Sequence, residues 1–161
     1  MKRLLFVFVL ILCGYAGMAQ EPRHALGLRL DGGDGFGPAI SFQYMMSDYN
    51  RVELDLGTNT AYTHNSWGLA GIFQRVWVID RGFNWYAGLG GRVGSWNWDK
   101  NNYTGTEAGG TFVAAVANLG IEYTFPIKIQ ISIDARPELG LVNHGGDSYT
   151  NSIALSVRYR F

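Results

Sequence analysis

The chain has 161 residues, 13 lysines and arginines against 13 aspartates and glutamates, 22 glycines and 4 prolines. That length suits one domain. It carries no basic stripe, so nucleic acid is not an expected partner, and no later window holds the roughly eighteen consecutive apolar residues of a membrane helix.

The first segment reads as a leader. Lys2 and Arg3 precede an unbroken apolar run, Leu4 to Leu12, and Gly17-Met18-Ala19 forms a small-x-small cleavage site. This is the pattern of a secretory signal peptide, with residues 1–19 removed and a single domain over 20–161. The only cysteine, Cys13, falls inside the leader, so the mature chain is expected to hold no disulfide. A lipidated Cys13 is the alternative, although Leu12 stands where a lipoprotein signal wants a small residue. Cleavage leaves 11 bases against 13 acids, a charge of −2.

Eight strands follow, separated by turn signals, as in an all-β sandwich or barrel. The first covers about 24–31, with Leu26, Leu28 and Leu30 on one face and Gly27, Arg29 and Asp31 on the other. The second, about 37–46, alternates Ile40, Phe42 and Tyr44 with Ser41 and Gln43; the third, about 51–61, alternates Val52, Leu54 and Leu56 with Glu53, Asp55 and Gly57. The fourth, about 67–79, alternates poorly: Leu69, Gly71, Phe73 and Trp77 suggest one face, but Arg75 falls on it. A bulge or a position at the membrane edge would explain this. The fifth, about 83–94, sets Trp85, Ala87, Leu89 and Val93 against Tyr86, Gly88, Gly90 and Arg92. The longest predicted loop, 95–110, comes next. The sixth strand, about 111–125, sets Leu119, Ile121, Tyr123 and Phe125 against Asn118, Gly120, Glu122 and Thr124.

The last two strands carry the clearest signal. From Ile129 to Leu139 every odd position is apolar or proline, and Ile153, Leu155, Val157, Tyr159 and Phe161 repeat the rule. Strict period two makes one oily and one wet face. Turns after strands two, four and six are short, while the loops after three, five and seven are longer, an arrangement typical of outer-membrane barrels.

Period two alone does not separate a lipid-facing barrel from a soluble one with inverted faces. Charge and size decide. The wet face carries Arg29, Asp31, Glu53, Asp55, Arg92, Glu122, Asp134, Arg136, Glu138, Arg158 and Arg160, interspersed with small Gly27, Gly57, Gly88, Gly90, Gly120, Ser132 and Ser156. An eight-stranded barrel has room inside only for side chains. Small residues let long arginines reach acids across the lumen, and near-balanced charges can pair there. The expectation is therefore an antiparallel up-and-down transmembrane β-barrel with a charge-plugged lumen. Aromatics supply two expected belts: Tyr44, Tyr49, Phe83, Trp85, Phe125, Tyr159 and Phe161 at one end, and Tyr62, Trp67, Trp96, Trp98, Tyr103, Phe112 and Tyr149 at the other.

With its leader, hairpin layout and ending Ser156-Val157-Arg158-Tyr159-Arg160-Phe161, the chain resembles the small eight-stranded outer-membrane β-barrel proteins of Gram-negative bacteria. The resemblance implies location in the cell outer membrane. It also implies that Leu155, Val157, Tyr159 and Phe161 form the signal read by the barrel-assembly machinery. It does not single out a function, because such barrels host structural, adhesive, gating and enzymatic proteins.

Catalytic and metal chemistry is sparse. His24 lies beside the cleavage site, and His64 and His144 fall in predicted loops with Asp147 near the second, without the spacing of a metal site. A lipid A-modifying enzyme would have to use His144, Ser148 and Glu138, whose spacing matches no dependable pattern. Gly88-Leu89-Gly90-Gly91 precedes no helix and so does not form a phosphate-cradling loop. Trp96, Trp98 and Tyr103 could stack on an extracellular ligand or belong to the outer belt. The resulting expectation is an outer-membrane structural or interaction protein that works through loop 95–110, in contact with lipid, and needs no cofactor. A lipid A-modifying enzyme and a soluble lipocalin-like carrier are the alternatives.

Overall fold

A computed structural model describes residues 22–33, 37–60, 64–98, 109–142 and 149–161. The predicted leader, residues 1–19, lies outside them. The strands are β1 (His24–Gly33), β2 (Pro38–Met45), β3 (Asn50–Thr60), β4 (His64–Asp80), β5 (Phe83–Trp98), β6 (Gly109–Thr124), β7 (Ile129–Val142) and β8 (Tyr149–Arg160). Each pairs antiparallel with its chain neighbours, and β1 pairs with β8, so the sheet closes on itself. Closure removes the sheet edges that hydrocarbon cannot hydrogen-bond.

The faces follow the period-two pattern. Leu155 and Val157 are 48% and 47% exposed on the outside, whereas Arg136 and Arg158 are 0% and 1% exposed within. Across the closing seam Leu28 stands opposite Val157, and Arg29 opposite Ser156, so one inward small residue makes space for an inward arginine.

Three tight turns define one end of the barrel. At the first, Met46 and Ser47 both donate backbone N–H to the Asn50 carbonyl. The second uses Gly82 at φ 78°, a conformation that suits glycine and also brings its backbone against Thr124. The third turns on Lys128 at φ 64°. Both ends of the barrel wall meet here too, where His24 and Phe161 exchange backbone hydrogen bonds.

Strand four is regular across its doubtful stretch. Gly68, Ala70, Ile72, Gln74 and Val76 are buried inward, and Trp67, Leu69, Phe73 and Arg75 are exposed outward. The register is unbroken at Arg75, which stands opposite Asn50, the first residue of β3; the irregularity lies later, between Val78 and Asp80. The edge position is thus the explanation, and the guanidinium sits 5.8 Å from the Trp77 ring. The pattern was hard to read because both faces of β4 are largely apolar.

Strands β4 to β6 also run farther than expected at the other end. Trp96 pairs with Gly110 and Asn97 with Gly109, so the predicted 95–110 loop contributes ladder at both its ends. Hydrogen bonding continued through residues whose polarity reads as loop. His64 likewise opens β4, opposite Trp98, instead of lying in a loop. In β7, Pro137 stands opposite Asn151. On its β6 side the ladder skips from Val116↔Glu138 to Leu119↔Ala135. A ring nitrogen has no hydrogen to donate.

Candidate functional site: the lumen

The lumen is filled by side chains from all eight strands. Glu53 of β3 accepts from three of them: Arg136 Nη2 at 2.7 Å, Arg158 Nη2 at 3.0 Å and Gln43 Nε2 at 2.6 Å. Arg136 also donates to Asp55 Oδ2 at 2.7 Å. Arg158 completes its fork on two hydroxyls, Ser41 and Ser132, each at 2.9 Å. Those serines are the small inward residues that leave room for a guanidinium to lie across the barrel.

A second cluster centres on Asp134. Arg29 grips it with two parallel bonds, Nη1 at 2.7 Å and Nη2 at 2.8 Å, the planar fork geometry that carboxylates favour. Asn118 and Tyr86 add donors at 2.8 and 3.1 Å. Arg29 also reaches Asp31 at 3.0 Å, and Ser152 donates to the same carboxylate at 3.3 Å. The chain of bonds continues from Asn118 to Gln74 at 2.7 Å, from Gln74 to Arg51 at 2.6 Å, and from Arg51 to Glu122 at 2.6 Å. Arg51 lies over the Tyr86 ring, 4.5 Å from its centroid. Gly120 makes room for that ring, since a Cβ there would come within 2.6 Å of it. A third pair joins Arg92 to Glu138 at 2.6 Å.

Charges in such a place are tolerable only when paired, because desolvation costs several kcal/mol per ion. Arg51 was absent from the expected charge set, although its parity with Glu53 and Asp55 marks it as inward; it sits one step from a turn, where strand limits are hardest to read. With it, and with Arg160 at the mouth, six acids and six arginines share the inward parity among the described residues, so the count balances. Arg160 stands at the turn-end mouth and donates to the Pro22 carbonyl at 3.1 Å.

One sector of the lumen is apolar. Ala70, Ile72 and Val76 of β4 and Phe112, Ala114 and Val116 of β6 are buried. Phe112 therefore does not belong to an outer belt. Trp96 is a strand residue, not a loop residue, and has the inward parity of Arg92, with its ring against Gly110. Trp98 ends β5, and Tyr62, Tyr103, His144, Asp147 and Ser148 lie outside the described residues. Glu138, considered for catalysis, is engaged with Arg92. Among the described residues, no group of three or more histidine, cysteine, aspartate or glutamate side chains could hold a metal ion.

The outer face at the turn end is aromatic. Trp77 and Trp85 stack at 4.1 Å, and Tyr123 meets Phe125 edge-on at 4.7 Å. His24 joins this belt, its ring 5.1 Å from Tyr44 and 5.7 Å from Phe161. Tyr159 is exposed beside them.

No protein-family model matches the chain, and no curated protein matches it by sequence. Solved structures do match. The N-terminal β-barrel domain of Pseudomonas aeruginosa OprF superposes with a TM-score of 0.70 at 13% identity, covering 88% of this chain and 100% of that one. Neisserial surface protein A gives 0.64 at 15% identity over 86% and 94% of the two chains. Ail, the attachment invasion locus protein of Yersinia pestis, gives 0.53 at 16% identity over 89% and 100%. The fold is that of the small eight-stranded outer-membrane β-barrels.

Proposed function

We propose that this protein is an outer-membrane barrel whose lumen is closed by its own ion pairs and whose working surface lies in the loops at the end opposite the tight turns. The observation that carries this is the division of faces: aliphatic rows outside, and arginines joined to carboxylates across the centre. A structural or adhesive role suits such an object, because a filled eight-stranded lumen leaves no wide path for solutes. The solved structures it resembles include Ail in complex with a heparin analogue, sucrose octasulfate. By analogy we assign contact with extracellular ligands to the segment 95–110. The domain is assigned to residues 20–161 after loss of a leader, and β8, with Leu155, Val157, Tyr159 and Phe161, to recognition by the barrel-assembly machinery.

Fractionation tests the location, and planar bilayers test the plug. The protein should sediment with outer membranes, resist carbonate extraction and migrate differently on gels before and after boiling. Reconstituted, it should show no sustained conductance. Recovery as a soluble periplasmic protein without a heat shift would refute the location, and a steady open channel would refute the plug. Deleting residues 99–108 should abolish binding to host surfaces while preserving the heat shift.

A further inference from the structure

One charge in the wall takes no part in the lumen. Arg75 is exposed on the outward face of β4 and enters none of the ion pairs among the described residues. It stands directly opposite Asn50 of β3 and Ala87 of β5. Both are shorter than arginine, which leaves the guanidinium open along its two flanks. Toward the middle of the wall the next outward pair is Phe73 and Leu89, both well exposed. Toward the turns the next pair is Trp77 and Trp85, whose rings stack at 4.1 Å.

The same ladder fixes depth and direction. Asn50 is the first residue of β3, and its carbonyl closes the preceding turn by accepting from Met46 and Ser47, so Arg75 stands at the level of a turn. Its guanidinium carbon lies 5.8 Å from the Trp77 ring, so the side chain leans toward the turns and away from the bilayer centre. Tryptophan settles at the level of lipid headgroups, and the long stem of an arginine carries its charge to that level along an apolar wall. A charge is tolerated there but not at mid-bilayer. Outside the lumen, the charged described residues at this end are Arg23, Arg75, Arg81 and Lys128 against Asp48 and Asp80. The surplus is positive, and a headgroup that brings no cation of its own complements it.

We propose that Arg75 and the Trp77–Trp85 pair form a headgroup site for an anionic glycerophospholipid in the leaflet at the turn end. The phosphodiester accepts from the guanidinium, whose planar fork matches two phosphate oxygens. The glycerol region lies against the indoles, and an acyl chain runs toward the bilayer centre over Phe73 and Leu89. The site explains why the one arginine on this outward row is placed beside a tryptophan pair.

The proposal rests on the membrane location. Its test uses the whole protein in nanodiscs of equal parts phosphatidylcholine and phosphatidylglycerol, released in a native mass spectrometer with the lipid it retains. Phosphatidylglycerol should be kept about fivefold over phosphatidylcholine, the worth of one cation beside an anionic headgroup. Arg75→Gln should bring that ratio near one, with the heat shift on gels unchanged. Arg23→Gln, before β1 and on the far side of the closed sheet from β4, should leave it at about fivefold. Equal retention of the two lipids by the unaltered protein overturns the proposal and leaves the membrane location standing. A preference that survives Arg75→Gln overturns it too, as does one lost equally in Arg23→Gln, because the attraction then belongs to the whole charged end. A dimer that dissociates in Arg75→Gln, seen in place of retained lipid, would give this face to a second copy and overturn it as well.

Discussion

Glu53→Gln is the substitution that most directly probes the lumen. The carboxylate holds Arg136 and Arg158, at 2.7 and 3.0 Å, and accepts from Gln43 at 2.6 Å. A glutamine keeps the volume, offers only one oxygen and aims an N–H at groups that are themselves donors. The two arginines do not suffer equally. Arg136 retains Asp55 at 2.7 Å, but Arg158 is left with the Ser41 and Ser132 hydroxyls. Leaving a buried charge without its counter-ion costs about 3–5 kcal/mol, so unfolding free energy should fall by about that amount. The loss should be partly repaired by removing the stranded cation: Glu53→Gln with Arg158→Met should recover at least about 1 kcal/mol relative to the sum of the single changes. Urea titration in micelles or lipid vesicles measures both, using fluorescence of the five tryptophans and the heat shift on gels. A Glu53→Gln protein within about 0.5 kcal/mol of the original, the range of ordinary surface changes, would refute the claim that these charges are held dry. Strict additivity would refute the pairing.

Two further outcomes follow from the faces of the wall. Leu155→Arg places a charge on the outward row, between Leu30 and Ile133. It should cost about 2–4 kcal/mol in vesicles if that row meets the middle of the bilayer, whereas Arg75→Leu, near the turn end, should be close to neutral; equal folding of Leu155→Arg and the original in vesicles would contradict the assigned facing. Tyr86→Phe removes one of four donors on Asp134, which keeps Arg29 and Asn118. It should cost about 1 kcal/mol, against about 3–5 for Tyr86→Ala, which empties the space beneath Arg51; a phenylalanine as damaging as the alanine would show that the hydroxyl, not the ring, is the main contribution.

Period two is a local property, so the amino-acid sequence by itself determined that Ile131, Ile133, Leu155 and Val157 share one face and Asp134, Arg136, Ser156 and Arg158 the other. Residue size and charge then determined which face could be the inside of so narrow a barrel. Tertiary structure decided who pairs with whom. Arg29 and Asp134 are 105 residues apart, and Arg136 and Glu53 are 83 apart. Their meeting depends on strand register and on the small residues opposite each guanidinium, neither of which is visible along one strand. The same holds for Arg51, hidden beside a turn, and for the apolar sector of β4 and β6, whose inward residues resemble their outward neighbours. Alternation reports facing, and only closure of the sheet sets the distances across it.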